Sequence, residues 1–203
     1  MTSQLANTFS VLPKQLTTPY FRNNIMIRYG VMGDGTCFYY SLCAILNIDQ
    51  FLSQPVEKQI DIGRGFRCNL TQDLTWEEWV SFLNIKNIKA PKIKSLDQLK
   101  HKLCSYKVWA DEPVIRFIMY KLRVNLLFLD EQLNRLYCGV TEPGCDLTAI
   151  IYWVDKSHFE PLGRLNALDV DEDRVAVQFQ FIKGHDDEFI QNLEQKYGFQ
   201  CHV

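Results

Sequence analysis

Two stretches of this chain constrain its fold more than any others. Residues 124–129 and 147–154 are almost wholly apolar over the length of a strand. A strand with one wet face alternates apolar and polar residues, whereas a strand without alternation is covered on both faces. The chain therefore needs a sheet with cover on both sides. The segments before it supply helices. In 37–46, Phe38, Leu42, Ile45 and Leu46 recur at helical spacing. Residues 55–70 and 75–84 predict two more helices, the second capped by Thr75 with Glu78 as its capping-box partner. Ser95 and Gln98 open another, to about Cys104. Asp111 or Glu112 starts a further one through Leu122, with Pro113 suited to its first turn. Weaker strand signals lie at 26–32 and 136–140, with a turn at 142–144. An alternating stretch follows at 175–182, and a last helix runs from Asp186 or Asp187 to about Tyr197. Helices come first and strands later, which predicts an α+β domain.

A chain of 203 residues suits one domain, since domains commonly run to about 100–200 residues. The expected division is an N-terminal arm (1–25), the main domain (26–165) and a C-terminal strand-and-helix extension of it (166–203). The formal net charge is -2 and no basic run stands out, so no nucleic-acid partner is expected. No stretch approaches the ~20 apolar residues of a membrane helix, and residues 1–19 lack the pattern of a secretory signal. Seven cysteines at uneven spacing give neither a disulfide framework nor a zinc pair. Free thiols in a reducing compartment, cytoplasm or nucleus, are the expectation.

Chemistry concentrates at Cys37. The residue should stand at a helix N-terminus, where partial positive charge favours the thiolate. The preceding Gly33-Asp34-Gly35-Thr36 can turn sharply if its glycines take positive φ, and such a loop can aim backbone N–H groups at one point, as an oxyanion hole requires. Any single cysteine is more commonly a small buried apolar group, so a partner matters. His158 follows an apolar strand and a polar 155–157 turn, a place from which imidazole can reach a cleft and act as base and acid. Glu160 can orient it if the segment is extended, because both side chains then share a face. Asp155 is the other candidate. His101, His185 and His202 are weaker, by position. The acidic run 169–173 lacks the glycine and final glutamate of a calcium loop. Cys138, Cys145, Cys201 and His202 fit no zinc spacing. Trp76 and Trp79 read as core or rim.

The segment Gly33-Asp34-Gly35-Thr36-Cys37-Phe38-Tyr39-Tyr40-Ser41-Leu42 resembles the Asp-Gly-x-Cys motif of the ovarian-tumour (OTU) cysteine proteases. Ser157-His158-Phe159-Glu160 is similar to their C-terminal His-aromatic element. Val108-Trp109-Ala110-Asp111-Glu112 resembles their Trp-Gly segment before a core strand. The three occur in the expected order over residues 25–162. The resemblance implies a papain-like fold: a central, mostly antiparallel sheet flanked by helices, with the nucleophile at a helix N-terminus. It implies Cys37 as nucleophile, His158 as general base, Asp34 as a shaper of the oxyanion loop, and Glu160 where members often carry Asp or Asn. Ala110 replaces the usual glycine. The implied activity is deubiquitination: hydrolysis of the isopeptide bond at the C-terminal glycine of ubiquitin or a ubiquitin-like modifier through a Cys37 thioester. The alternative is a silent module that binds ubiquitin or a host partner. No metal or organic cofactor is implied. The expected partners are ubiquitin or polyubiquitin chains, met by a monomer that uses neither membrane nor nucleic acid. Large DNA viruses carry such compact domains, and a viral source would place this one in the host-cell cytoplasm.

Overall fold

The computed structural model describes residues 7–21, 25–89, 92–140 and 147–165, together with short strand pieces at 170–171, 174–175 and 182–183. Its centre is one mixed sheet. The strands are β1 (Phe9–Val11), β2 (Ile25–Tyr29), β3 (Val124–Asp130), β4 (Arg135–Val140), β5 (Leu147–Val154) and β6 (His158–Leu165), in the order β1-β2-β6-β5-β3-β4. All pairs along this order are antiparallel except β3 with β5, which is parallel. A small hairpin, β7 (Val170–Asp171) with β8 (Arg174–Val175), precedes β9 (Ile182–Lys183), which returns to pair with the start of β5.

The two apolar runs became β3 and β5, and their lack of alternation has the expected cause. Leu126 and Phe128 enter one core, Leu127 and Leu129 another on the opposite face. Ala149 and Ile151 divide from Ile150, Tyr152 and Val154 in the same way. The larger core is roofed by α2 (Cys37–Ile45), α3 (Val56–Asn69), α4 (Trp76–Ile85), α5 (Leu96–Cys104) and α6 (Glu112–Leu122). The second face is covered by the stretch expected as an arm. There, α1 (Lys14–Phe21) follows β1, and Leu12 and Phe21 are buried against Met26, Leu129 and Tyr152.

The caps follow local chemistry. Thr75 Oγ1 accepts from the Glu78 N–H at 3.1 Å, Ser95 Oγ from Gln98 at 3.2 Å and Asp111 Oδ1 from Val114 at 3.4 Å. Each satisfies an orphan donor of a first helical turn. The Glu78 carboxylate does not turn back on the cap but pairs with Lys121 at 3.0 Å. Trp79 is fully buried and Trp76 packs on its core.

The segment after His158, to which the sequence pattern assigned no element, is β6, a central strand. Pro161 and Gly163 disguise it, since proline is normally barred from central strands. Here β6 changes neighbours: residues 158–161 pair with β5 and 162–165 with β2. Pro161, without an N–H, sits at the changeover. Contrary to expectation, the thiols are not all free. Cys68 at the end of α3 and Cys104 at the end of α5 form a disulfide, their Cα atoms 4.4 Å apart. Two helix ends that meet in space left no trace in a spacing of 36 residues, so cysteine usage no longer argues for a reducing compartment.

No helix among the described residues is long and apolar enough to cross a membrane. The turn at 142–144, residues 176–181 and the last helix lie outside the described residues, as do Cys145, Asp169, His185, Cys201, His202 and the side chain of Cys138.

Candidate active site

All nine residues of α2 are buried. A helix apolar on every side belongs inside a core, so the N-terminus of α2 is delivered to the interior with Cys37 as its first residue, 1% exposed. The loop before it is tied down by Asp34. Its Oδ1 accepts the Thr36 N–H at 2.7 Å, and its Oδ2 accepts the Tyr40 hydroxyl at 3.2 Å and Arg64 at 3.4 Å. Burial, and then the Asp34 charge, push the Tyr40 phenol up to about 12, so it stays a donor to that carboxylate.

The glycines act differently from the sequence expectation. Neither Gly33 nor Gly35 takes a left-handed φ. Gly35 is required by close approach: a β-carbon there would stand 2.5 Å from the Tyr106 carbonyl oxygen. Gly33 lies beside the imidazole of His158, with room for a methyl group at 3.8 Å from Nδ1.

His158 opens β6, in register with Val154 of β5. Ser41, one turn into α2, donates to the carbonyls of Cys37 and Phe159, both at 3.0 Å. Phe38 meets Phe159 edge-on with centroids 5.7 Å apart. The first turn of α2 is thereby fastened to the strand that carries the histidine. His158 Nε2 lies 3.5 Å from Glu160 Oε1, and the Cys37 side chain also acts on the ring. Neither ring nitrogen has an aligned hydrogen bond, a looseness common in unliganded sites. Burial alone would lower the histidine pKa. The Cys37 thiol and the Glu160 carboxylate outweigh it and raise the value to about 9.

Glu160 is itself 1% exposed, and a buried carboxylate needs a partner. Arg28 of β2 supplies one, Nη1 to Oε2 at 3.2 Å. The guanidinium is steadied by its Nε–H to Ser10 Oγ at 2.8 Å and by the Tyr152 ring at 5.7 Å. Sequence reasoning did not single out Arg28, which reads as an ordinary solvent-facing residue of a short strand. Asp155 is exposed in a turn, with φ 48°, and has no part in this cluster. His101 is exposed on α5. The structure thus brings Asp34, Cys37, His158 and Glu160 into one locality.

Ser157 and Phe159, the chain neighbours of His158, line a cavity of about 650 Å³. Phe128, Trp153 and Phe159 form its aromatic wall, with Trp153 and Phe159 stacked at 14°. Asp111 and Glu112 stand on its α6 side.

The fold has relatives among solved structures. An OTU domain in complex with ubiquitin superposes with a TM-score of 0.50 at 16% identity, over 94% of this chain and 92% of that one. The chain has an OTU-like fold. The OTU of Hazara virus bound to ubiquitin (TM-score 0.47, 16% identity, 78% of this chain and 82% of that one) and the OTU domain of OTUD1 (0.46, 14%, 68% and 85%) are further similar structures. No family profile and no curated protein matches the sequence. The OTU likeness is therefore one of fold, beyond the short motifs around Cys37, Trp109 and His158.

Proposed function

We propose that this OTU-like domain is a cysteine-type deubiquitinase. The observation that carries the reading is that one imidazole, His158, is acted on both by Cys37 at the start of α2 and by the buried Glu160, which its Nε2 faces. In the proposed reaction the proton of Cys37 already rests on His158, and the sulfur attacks the carbonyl carbon of the tag's C-terminal glycine. The oxyanion is received at the 34–37 loop, by a backbone N–H. The tetrahedral species collapses as His158 protonates the departing lysine amine, which leaves a thioester on Cys37. Water, deprotonated by His158, then releases the tag as a carboxylate. A ring that holds its proton up to about 9 suits the step in which an amine must leave protonated. Asp34 shapes the loop, and Glu160 fixes the imidazole.

The aromatic cavity and the two acids beside it suit a tail that carries both apolar and basic side chains, as ubiquitin's does. The partner is ubiquitin or a polyubiquitin chain, and the protein would act where those occur, in cytoplasm or nucleus. A second reading, a module that binds ubiquitin without cutting it, draws on the 1% exposure of Cys37: a carbonyl reaches that sulfur only if a neighbouring segment yields.

The test is incubation with ubiquitin carrying a thiol-reactive C-terminal group, beside a Cys37→Ala control. A covalent adduct lost in the control is expected. Folded protein that binds ubiquitin but forms no adduct would transfer the assignment to the binding module.

A further inference from the structure

Arg67 of α3 is fully buried, yet among the described residues no carboxylate lies within ion-pair distance of it. Long cationic side chains are almost never buried without an acid, so this guanidinium must have another reason to be there. Its donors go to backbone carbonyls. Nε donates to Leu103, Nη2 to Lys102 at 2.9 Å and to Val108, and Nη1 to Gly35 at 2.6 Å, with Thr36 Oγ1 at 3.5 Å. Its flat face lies 4.4 Å from the centre of the Tyr39 ring, which supplies negative π-density in place of an anion. Asp34 and Cys37 are also within its electrostatic reach.

These contacts join the stretch 102–108 to the loop that precedes Cys37. The Gly35–Thr36 peptide is held from both sides, its carbonyl by Arg67 and its N–H by Asp34 Oδ1 at 2.7 Å. Tyr106 packs so closely on Gly35 that no side chain fits between them. The preceding N–H, that of Gly35, has no acceptor among the described residues. The Asp34 carbonyl of that same peptide accepts the Cys37 N–H at 3.2 Å, so a backbone donor is fixed in place and left unpaired, as an oxyanion hole requires.

We propose that Arg67 is the positioning residue of the oxyanion loop: its planar fork holds the Gly35 carbonyl so that the adjoining Asp34–Gly35 peptide keeps its N–H free to receive an oxyanion formed at Cys37. This rests on the reading that Cys37 attacks a carbonyl. Lysine cannot replace it, because three donors on one flexible point cannot span carbonyls on two separate segments. The Cys68–Cys104 disulfide, adjacent to Arg67 and joining α3 to α5, keeps those segments together when the fork is removed.

The experiment compares two reactions of the full chain at Cys37, each with a Cys37→Ala control. p-Nitrophenyl acetate acylates sulfur through a tetrahedral oxyanion: a C–S bond forms, the C–O bond breaks and p-nitrophenolate leaves. Iodoacetamide alkylates the same sulfur by displacing iodide and forms no oxyanion. In Arg67→Lys, the acylation burst should slow by ~10-fold or more, set against the ~10²–10³-fold that one oxyanion donor supplies. Alkylation should stay within about twofold of the unsubstituted chain. A merely structural role would change both reactions together, or only the melting temperature. Equal slowing, no slowing, or no burst in the unsubstituted protein would overturn the proposal. If Arg67→Lys does not fold, Arg67→Gln, which leaves no charge to bury, is measured the same way, and failure of both assigns Arg67 to structure alone. Because neither reagent contains ubiquitin, a normal burst without a ubiquitin adduct counts against the deubiquitinase reading and not against this one.

Discussion

Arg28 Nη1 and Glu160 Oε2 stand 3.2 Å apart on neighbouring strands, and the carboxylate between Arg28 and His158 is almost completely shielded from water. The pair solves a problem that a glutamate at this position creates. A buried carboxylate needs partners, and Arg28 supplies one on Oε2 while His158 lies against Oε1.

Removing that support should therefore reach the histidine. Arg28→Ala is expected to lower turnover of a ubiquitin C-terminal amide while ubiquitin affinity changes little. It should also destabilise the fold by about 1–3 kcal/mol in urea, below the full cost of breaking a buried pair because Arg28 is partly exposed. In the double variant with Glu160→Gln, the Arg28 effect should largely vanish. Simple additivity would show that the two side chains do not act as a unit.

His158 links the site to pH. Burial lowers its pKa, but Cys37 and Glu160 raise it from 6.5 to about 9. A histidine raised on folding contributes stability in full below its unfolded value and loses that contribution as pH climbs through the folded one. The stability difference between the unsubstituted chain and His158→Gln, from urea denaturation, should be largest near pH 6 and shrink by pH 10. A difference that is constant across that range would mean that the imidazolium gains nothing from its partners.

The two glycines of the motif should part company. Gly35→Ala forces a methyl group into the Tyr106 carbonyl and is expected to cost about 1–3 kcal/mol. Gly33→Ala meets His158 only at ordinary contact distance and should stay within about 1 kcal/mol. Thermal melts of the two variants decide it, and equal losses would contradict the packing described.

Cys68 and Cys104 close a loop across a separation of 36 residues, for which chain entropy predicts a stabilisation of about 3–4 kcal/mol. Cys104→Ser, or dithiothreitol, should lower the urea midpoint accordingly. In the native protein, Cys37 should react with iodoacetamide well before Cys43, whose thiol is pushed up by burial and then by Asp49. Mass mapping of the alkylated sites checks the order.

How much of this was legible in the sequence depended on the range of the interaction. Helix starts at Trp76, Leu96 and Glu112 were readable because caps are local: Thr75, Ser95 and Asp111 each bond three residues ahead. Cys37 at a helix start was readable for the same reason. Strand β6 was not, because Pro161 and Gly163 obey a rule set by its two neighbours and not by its own residues. Arg28 and Arg67 were invisible, since their partners lie 132 and 32 residues away. Residues 1–25 read only as an arm because they show little periodicity, and that Leu12 and Phe21 anchor it over the second sheet face was not legible.

The strand that carries His158 hydrogen-bonds both halves of the sheet, β5 with its first residues and β2 with its last. Of the described strands longer than two residues it is the last to be made, and its Phe159 carbonyl accepts the hydroxyl of Ser41, 118 residues earlier in the chain. Until it is made, Cys37 has neither the His158 imidazole nor the Glu160 carboxylate near it, and the two pieces of sheet are unjoined. Order of synthesis thus acts as a safety catch on the proposed chemistry: the same strand closes the sheet and brings His158 to Cys37.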